Sequence, residues 1–151
     1  MFTLWIFGQV LETTLGRARY FALYMLSGLS GSIGVFLWAL MDPNAIPSAM
    51  VGASGAIFGL MAAYVVIQRR MGANMSGLLT LIGINLVIGF LPGAGISWQA
   101  HRGGLIGGAI VGVIVTSRVG RNRLRSQRWL LSGFTAFLVL IALSHAPFIV
   151  G

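Results

Sequence analysis

The sequence predicts an all-α bundle of membrane-spanning helices, on three observations. Of 151 residues, 57% are hydrophobic and 8% charged, and the mean hydropathy is +0.92, well outside soluble globular usage. Apolar stretches of roughly 17–22 residues recur, the length that crosses a hydrocarbon core about 30 Å thick. The ten basic residues are all arginine, and nine of them cluster between those stretches.

Five complete spans follow, at residues 20–40, 49–67, 75–91, 96–116 and 129–149. The connectors carry turn chemistry in Asp42-Pro-Asn-Ala-Ile-Pro47, Met71-Gly-Ala-Asn74 and Leu91-Pro-Gly-Ala-Gly95. Trp38, Trp98 and Trp129 stand at span ends, where amphipathic rings favour the headgroup region. Residues 1–151 read as one membrane domain, a polytopic helical bundle with no room for a soluble one.

Arg17 and Arg19, Arg69 and Arg70, and the run Arg118, Arg121, Arg123, Arg125 and Arg128 occupy alternate connections, while the loops between contain none. Arginine-bearing ends face the cytoplasm by the positive-inside rule. Every span then alternates, with the C-terminus outside, and the expected location is a bacterial plasma membrane. The formal charge of +8 is thus a topology signal, and nucleic acid is not an expected partner. Residues 1–16 must descend to Arg17, yet only about eleven mostly apolar residues precede Glu12, a rise of roughly 16 Å and about half a membrane. They read as a partial helix whose beginning precedes Met1, without the basic region or cleavage site of a signal peptide.

The chemistry narrows by elimination. Glu12 and Asp42 are the two carboxylates, so an intramembrane pair of catalytic aspartates is excluded. There is no His-Glu-x-x-His motif for zinc, no lysine for a nucleotide-binding loop and no cysteine for thiolate chemistry. No metal and no cofactor is expected. What remains is serine and histidine, in Gly52-Ala-Ser54-Gly55 and Ala100-His101-x-x-Gly104-x-x-x-Gly108.

Each motif heads an apolar span. From Ser54 to residue 67 a helix rises about 21 Å, and from His101 to residue 116 about 24 Å. Both fall short of the core, so both side chains belong several ångströms below the outer face, where irregular backbone requires protein cover or water. Imidazole suits the task of taking the serine proton, and the free N–H groups at the head of the Ser54 helix can stabilise an oxyanion. Gly52 and Gly55 permit the close backbone approach this needs. Gly55 and Gly59 on one helix, and Gly104, Gly108 and Gly112 on the other, form small faces that let helices approach closely. Gly28, Gly31 and Gly34 give the 20–40 span a similar surface. Taken alone, Gly-Ala-Ser-Gly would be an ordinary helix contact, and a lone span-end histidine such as His145 an interfacial residue.

From residue 2 to residue 115 the chain resembles the rhomboid family of intramembrane serine proteases. The resemblance rests on Leu4-Trp-Ile-Phe-Gly8 with Leu11-Glu12 and Leu15-Gly16, on Tyr24-Met-Leu-Ser-Gly28, on Gly52-Ala-Ser-Gly-Ala-Ile-Phe-Gly-Leu-Met61, and on Ala100-His-Arg-Gly-Gly-Leu-Ile-Gly-Gly108. It implies that Ser54 is the nucleophile and His101 the base of a dyad without an acidic third member. It implies that Phe58 packs beneath the histidine, that Glu12 helps fix the first loop, and that Gly104 and Gly108 let the two catalytic helices meet. The implied substrates are membrane proteins with a transmembrane segment, cleaved within the bilayer. The last span is similar to the extra C-terminal helix of larger members. Two departures stand out. The family's His-x-x-x-Asn would end immediately before Met1, and Arg102 replaces a usually apolar residue. Two other readings stay open: an inactive rhomboid-like protein that binds transmembrane helices, and a small transporter subunit, for which Asn85 is the interior polar candidate.

Overall fold

The computed structural model describes residues 2–42, 53–89, 97–117 and 123–144. Those residues form six helices and no strand. They are α1 (Phe2–Leu15), α2 (Arg17–Met41), α3 (Ala53–Arg70), α4 (Ser76–Gly89), α5 (Trp98–Thr116) and α6 (Arg123–Ser144). The fold class is therefore all-α, with one helix at each expected span and a shorter one ahead of them. Gly52, His145 and the loops at 43–52 and 90–96 lie outside the described residues.

Glycines set two of the breaks. Gly16 separates α1 from α2 at φ 82°, and Gly72 turns the chain after α3 at φ 74°, a region glycine enters without the Cβ penalty. The final helix differs from expectation. It starts at Arg123 rather than at residue 129, so Trp129 stands within the helix and is exposed. The reason is Gln127, buried in the second turn, whose Nε2 donates to the carbonyls of Val115 (2.9 Å) and Ser117 (3.1 Å) at the end of α5. Those bonds satisfy carbonyls that a helix C-terminus leaves open and tie the stretch from Arg123 to Arg128 into helical structure.

Helices α2, α3 and α5 make the most extensive contacts. α1 lies against α2 and α3, and α6 against α2 and α5, while α4 packs thinly on α3 and α5. Burial on α5 falls on Gly104, Gly107, Gly108, Val111, Gly112 and Val115, a three-and-four spacing that makes one stripe. The core joins Leu11, Leu23, Leu60, Ala63, Val111 and Leu138 across five helices. Outward faces carry large apolar side chains, among them Phe21, Val87, Ile106 and Leu140. A surface of this kind suits hydrocarbon surroundings rather than water.

By length and composition, two of the described helices can cross a membrane unaided, Arg17–Met41 and Leu124–Ser144. α3 and α5 do not reach that mark. They carry glycine, glutamine and arginine, and their small-residue faces meet protein instead of lipid, so hydropathy is a weaker guide to them.

Candidate active site

The site begins with how closely three backbones approach. A methyl group at Gly55 would stand 3.1 Å from the Ala100 carbonyl oxygen and 3.3 Å from Gly31 Cα. One at Gly31 would stand 3.0 Å from that same carbonyl. At Gly104 it would run into the backbone of Gly55, and at Gly108 into that of Gly59. Only residues without a side chain fit here, and they bring α3 and α5 into main-chain contact along two turns.

Ser54 is the second residue of α3 and His101 the fourth of α5, so each stands in the first turn or so of its helix. The residue after Ser54 touches the residue before His101 through the Gly55–Ala100 approach. Helix α5 is opened by Ser97, whose side chain accepts a hydrogen bond from Ala100 N at 3.3 Å. Its carbonyl also accepts from His101 N at 3.3 Å. An N-cap of this kind fixes the first turn, and His101 sits at its end. The signal in the sequence was the serine directly before Trp98 and the apolar run.

His101 is buried, and its ring is stacked on that of Phe58, centroids 3.9 Å apart and planes 16° from parallel. Phe58 is one helical turn below Ser54, and residues four apart share a helix face. The imidazole is thereby held on the Ser54 side of α3. No hydrogen bond joins Ser54 to His101 among the described residues, and Nδ1 of His101 is buried without a partner.

Arg102 turns away from that contact. Its guanidinium carbon lies 5.3 Å from the centroid of the Trp98 ring, and Trp98 meets Trp38 of α2 edge-on at 4.7 Å. Glu12 forms an exposed ion pair with Arg17 at 3.3 Å, where α1 passes into α2. Asn85 donates from Nδ2 to the Leu81 carbonyl of its own helix at 2.8 Å. No cluster of metal-ligating side chains occurs among the described residues.

Comparison with known proteins agrees with this architecture. A rhomboid domain family model matches residues 1–118. Rhomboid protease GluP of Bacillus subtilis is 36% identical over 113 residues, covering 70% of this chain and 20% of the relative. RHOMBOID-like protein 5 of Arabidopsis thaliana is 36% identical over 126 residues, covering 78% and 38%. The mitochondrial Rhomboid protein 1 of Saccharomyces cerevisiae is 29% identical over 143 residues, covering 85% and 41%. The chain thus spans between a fifth and about two fifths of the length of these three. No solved structure matches it. With the family model covering most of the chain, and with the helical order and glycine-lined contacts in place, the protein belongs to the rhomboid family of integral membrane proteins.

Proposed function

We propose that the chain is the catalytic core of an intramembrane serine endopeptidase, with Ser54 as nucleophile and His101 as base. The observation that carries this reading is the stacking of His101 on Phe58, on the face of α3 that also bears Ser54. His101 accepts the Ser54 hydroxyl proton as Oγ adds to the scissile carbonyl. The N–H groups at the head of α3 stabilise the oxyanion that forms. The proton then passes to the leaving amine, and water releases the acyl group by the reverse sequence. Gly52 precedes Ser54 outside the described residues, Gly55 lets the first turn of α3 press against the Ala100 carbonyl beside His101, and Gly104 and Gly108 set the distance between the two helices.

The substrates are membrane proteins whose transmembrane segment unwinds near the catalytic level. The arginine-bearing ends of the helices face the cytoplasm of a bacterial plasma membrane, which places Ser54 and His101 toward the outer face and the C-terminus outside. A catalytically inactive, helix-binding rhomboid is the second reading, favoured by the missing hydrogen bond between Ser54 and His101. The transporter reading loses support from Asn85, whose amide is taken up by its own helix.

Cleavage in liposomes of a transmembrane substrate with helix-destabilising residues separates the two, using the chain with any in-frame sequence preceding Met1. The protease reading expects one defined cut that disappears in Ser54→Ala and in His101→Ala. Binding of the substrate without cleavage would favour the inactive reading.

A further inference from the structure

Helices α3, α4 and α5 leave between them a groove of about 320 Å³ that the proposed chemistry does not use. Ala62 and Ile82 form its buried floor, Val66 and Ala109 its walls, and the exposed Leu79 and Ile106 its lips. Every residue that lines it is apolar. The groove exists because α4 packs thinly on α3 and α5, and because alanines at 62 and 109 leave the space between them unfilled.

Arg70 bounds the groove at the arginine-bearing end. It lies one turn beyond Val66 along the same face of α3, and Thr116 lies two turns beyond Ala109 along the same face of α5. Arg70 Nη1 donates to the Thr116 carbonyl at 2.7 Å. The guanidinium is therefore held across the foot of the groove, with one of its five N–H donors engaged. Arg69 stands beside it. Neither acidic residue of the chain is near: Glu12 pairs with Arg17, and Asp42 follows the opposite end of α2.

Depth and volume narrow the occupant. Along α3, Val66 is about 6 Å from Arg70, and along α5, Ala109 is about 10 Å from Thr116. The headgroup region of a bilayer is about 5–8 Å deep on each side, so the apolar lining begins where acyl chains begin. One turn of α-helix with its side chains is about 10 Å across and 5.4 Å long, a cylinder of roughly 400 Å³. The groove is too small to seat a helix and suits an alkyl chain.

We propose that this groove binds one acyl chain of an anionic phospholipid from the leaflet at the arginine-bearing end, with the phosphate on the fixed guanidinium of Arg70 and on Arg69. The chain passes between the lips and covers Ala62 and Ile82. Its charge complements two arginines that no carboxylate of this protein reaches. A zwitterionic lipid would bring an ammonium group to the same two cations. The assignment stands independently of the proposed protease activity.

The test is photo-crosslinking in phosphatidylcholine liposomes that contain a small amount of phosphatidylglycerol with a diazirine midway along one chain. Mass spectrometry then locates the modified residues. Labelling should concentrate on the groove, at Val66, Ile82 and Ala109, over Ile110, which lies at the same depth on the outward face of α5. A phosphatidylcholine probe with the same diazirine chain should label the groove several-fold less. The double variant Arg69→Gln/Arg70→Gln should lose groove labelling by roughly tenfold or more, given the usual attraction of each arginine to anionic lipid. Arg19→Gln/Arg128→Gln removes the same charge elsewhere at the same end and should keep it. Ala109→Phe, which fills the groove, should abolish the labelling, whereas Val113→Phe on the exposed face of α5 should not. If Ala109→Phe fails to fold, Leu79→Trp blocks the groove from its lip and should have the same effect. Labelling spread evenly between the groove and Ile110, equal labelling by the two probes, equal losses in the two double variants, or crosslinks unchanged by Ala109→Phe or Leu79→Trp would overturn the site.

Discussion

The ring of His101 lies flat on the ring of Phe58, 3.9 Å between centroids, and that contact fixes an imidazole that makes no hydrogen bond through Nδ1. In the proposed dyad, the orientation that a third residue would give by hydrogen bonding comes from this packing instead. Substituting Phe58→Leu should keep the helix and most of the buried volume while freeing the histidine ring. Misplacement of a catalytic group by about 1 Å costs on the order of 10²-fold in rate. Cleavage should therefore fall by about that factor while the melting midpoint moves little. A Phe58→Leu protein with undiminished turnover would remove Phe58 from the site.

The glycines divide into those that are pressed and those that are not. A methyl at Gly104 would strike the Gly55 backbone, whereas one at Gly83 would meet nothing within 4 Å. Gly104→Ala should push α5 from α3 and destabilise the bundle by roughly 1–3 kcal/mol, the usual cost of overpacking. Gly83→Ala on α4 should be neutral or raise stability by up to about 1 kcal/mol through lower backbone entropy. Thermal unfolding in one detergent compares the two. A larger loss at Gly83 than at Gly104 would contradict the described helix contact.

Much of this was legible in the sequence, because membrane helices announce themselves through length and charge placement. The all-α class, the helix at each expected span and the rhomboid resemblance all followed from apolar runs, arginine clusters and two glycine-rich motifs. What escaped was anchoring by single polar side chains. Gln127 reads as one more polar residue in an arginine-rich linker, and only its bonds across to Val115 and Ser117 reveal why α6 starts at Arg123. Ser97 escaped for a related reason, since a cap depends on where the helix begins. Arg102 stands where the rhomboid resemblance leads one to expect an apolar residue, directly after His101. Adjacent helical residues diverge by about 100°, and Arg102 lies over Trp98 instead.

Gln127 gives a prediction about stability. Gln127→Leu leaves the carbonyls of Val115 and Ser117 without their donor, and each unsatisfied buried group costs roughly 1–3 kcal/mol. The melting midpoint should drop clearly, with faster proteolysis after Thr116 as α6 loosens from α5. A midpoint within error of the parent would mean that the two bonds contribute nothing net.

Glu12 and Arg17 should behave differently. Their side chains are 42% and 94% exposed, and ion pairs of that kind contribute about 0–1 kcal/mol. Glu12→Gln should leave the unfolding midpoint nearly unchanged, and added salt should not separate the two proteins. A large loss would assign Glu12 a partner beyond Arg17.

The most direct measurement is covalent labelling of Ser54 by a fluorophosphonate, an electrophile that reports an activated serine rather than any exposed hydroxyl. The protein is reconstituted in liposomes with any in-frame sequence that precedes Met1, and the labelled residue is located by mass spectrometry. The account predicts modification at Ser54, its loss in Ser54→Ala and in His101→Ala, and no change in His145→Ala. Equal labelling of Ser54 in the parent and in His101→Ala would contradict the dyad.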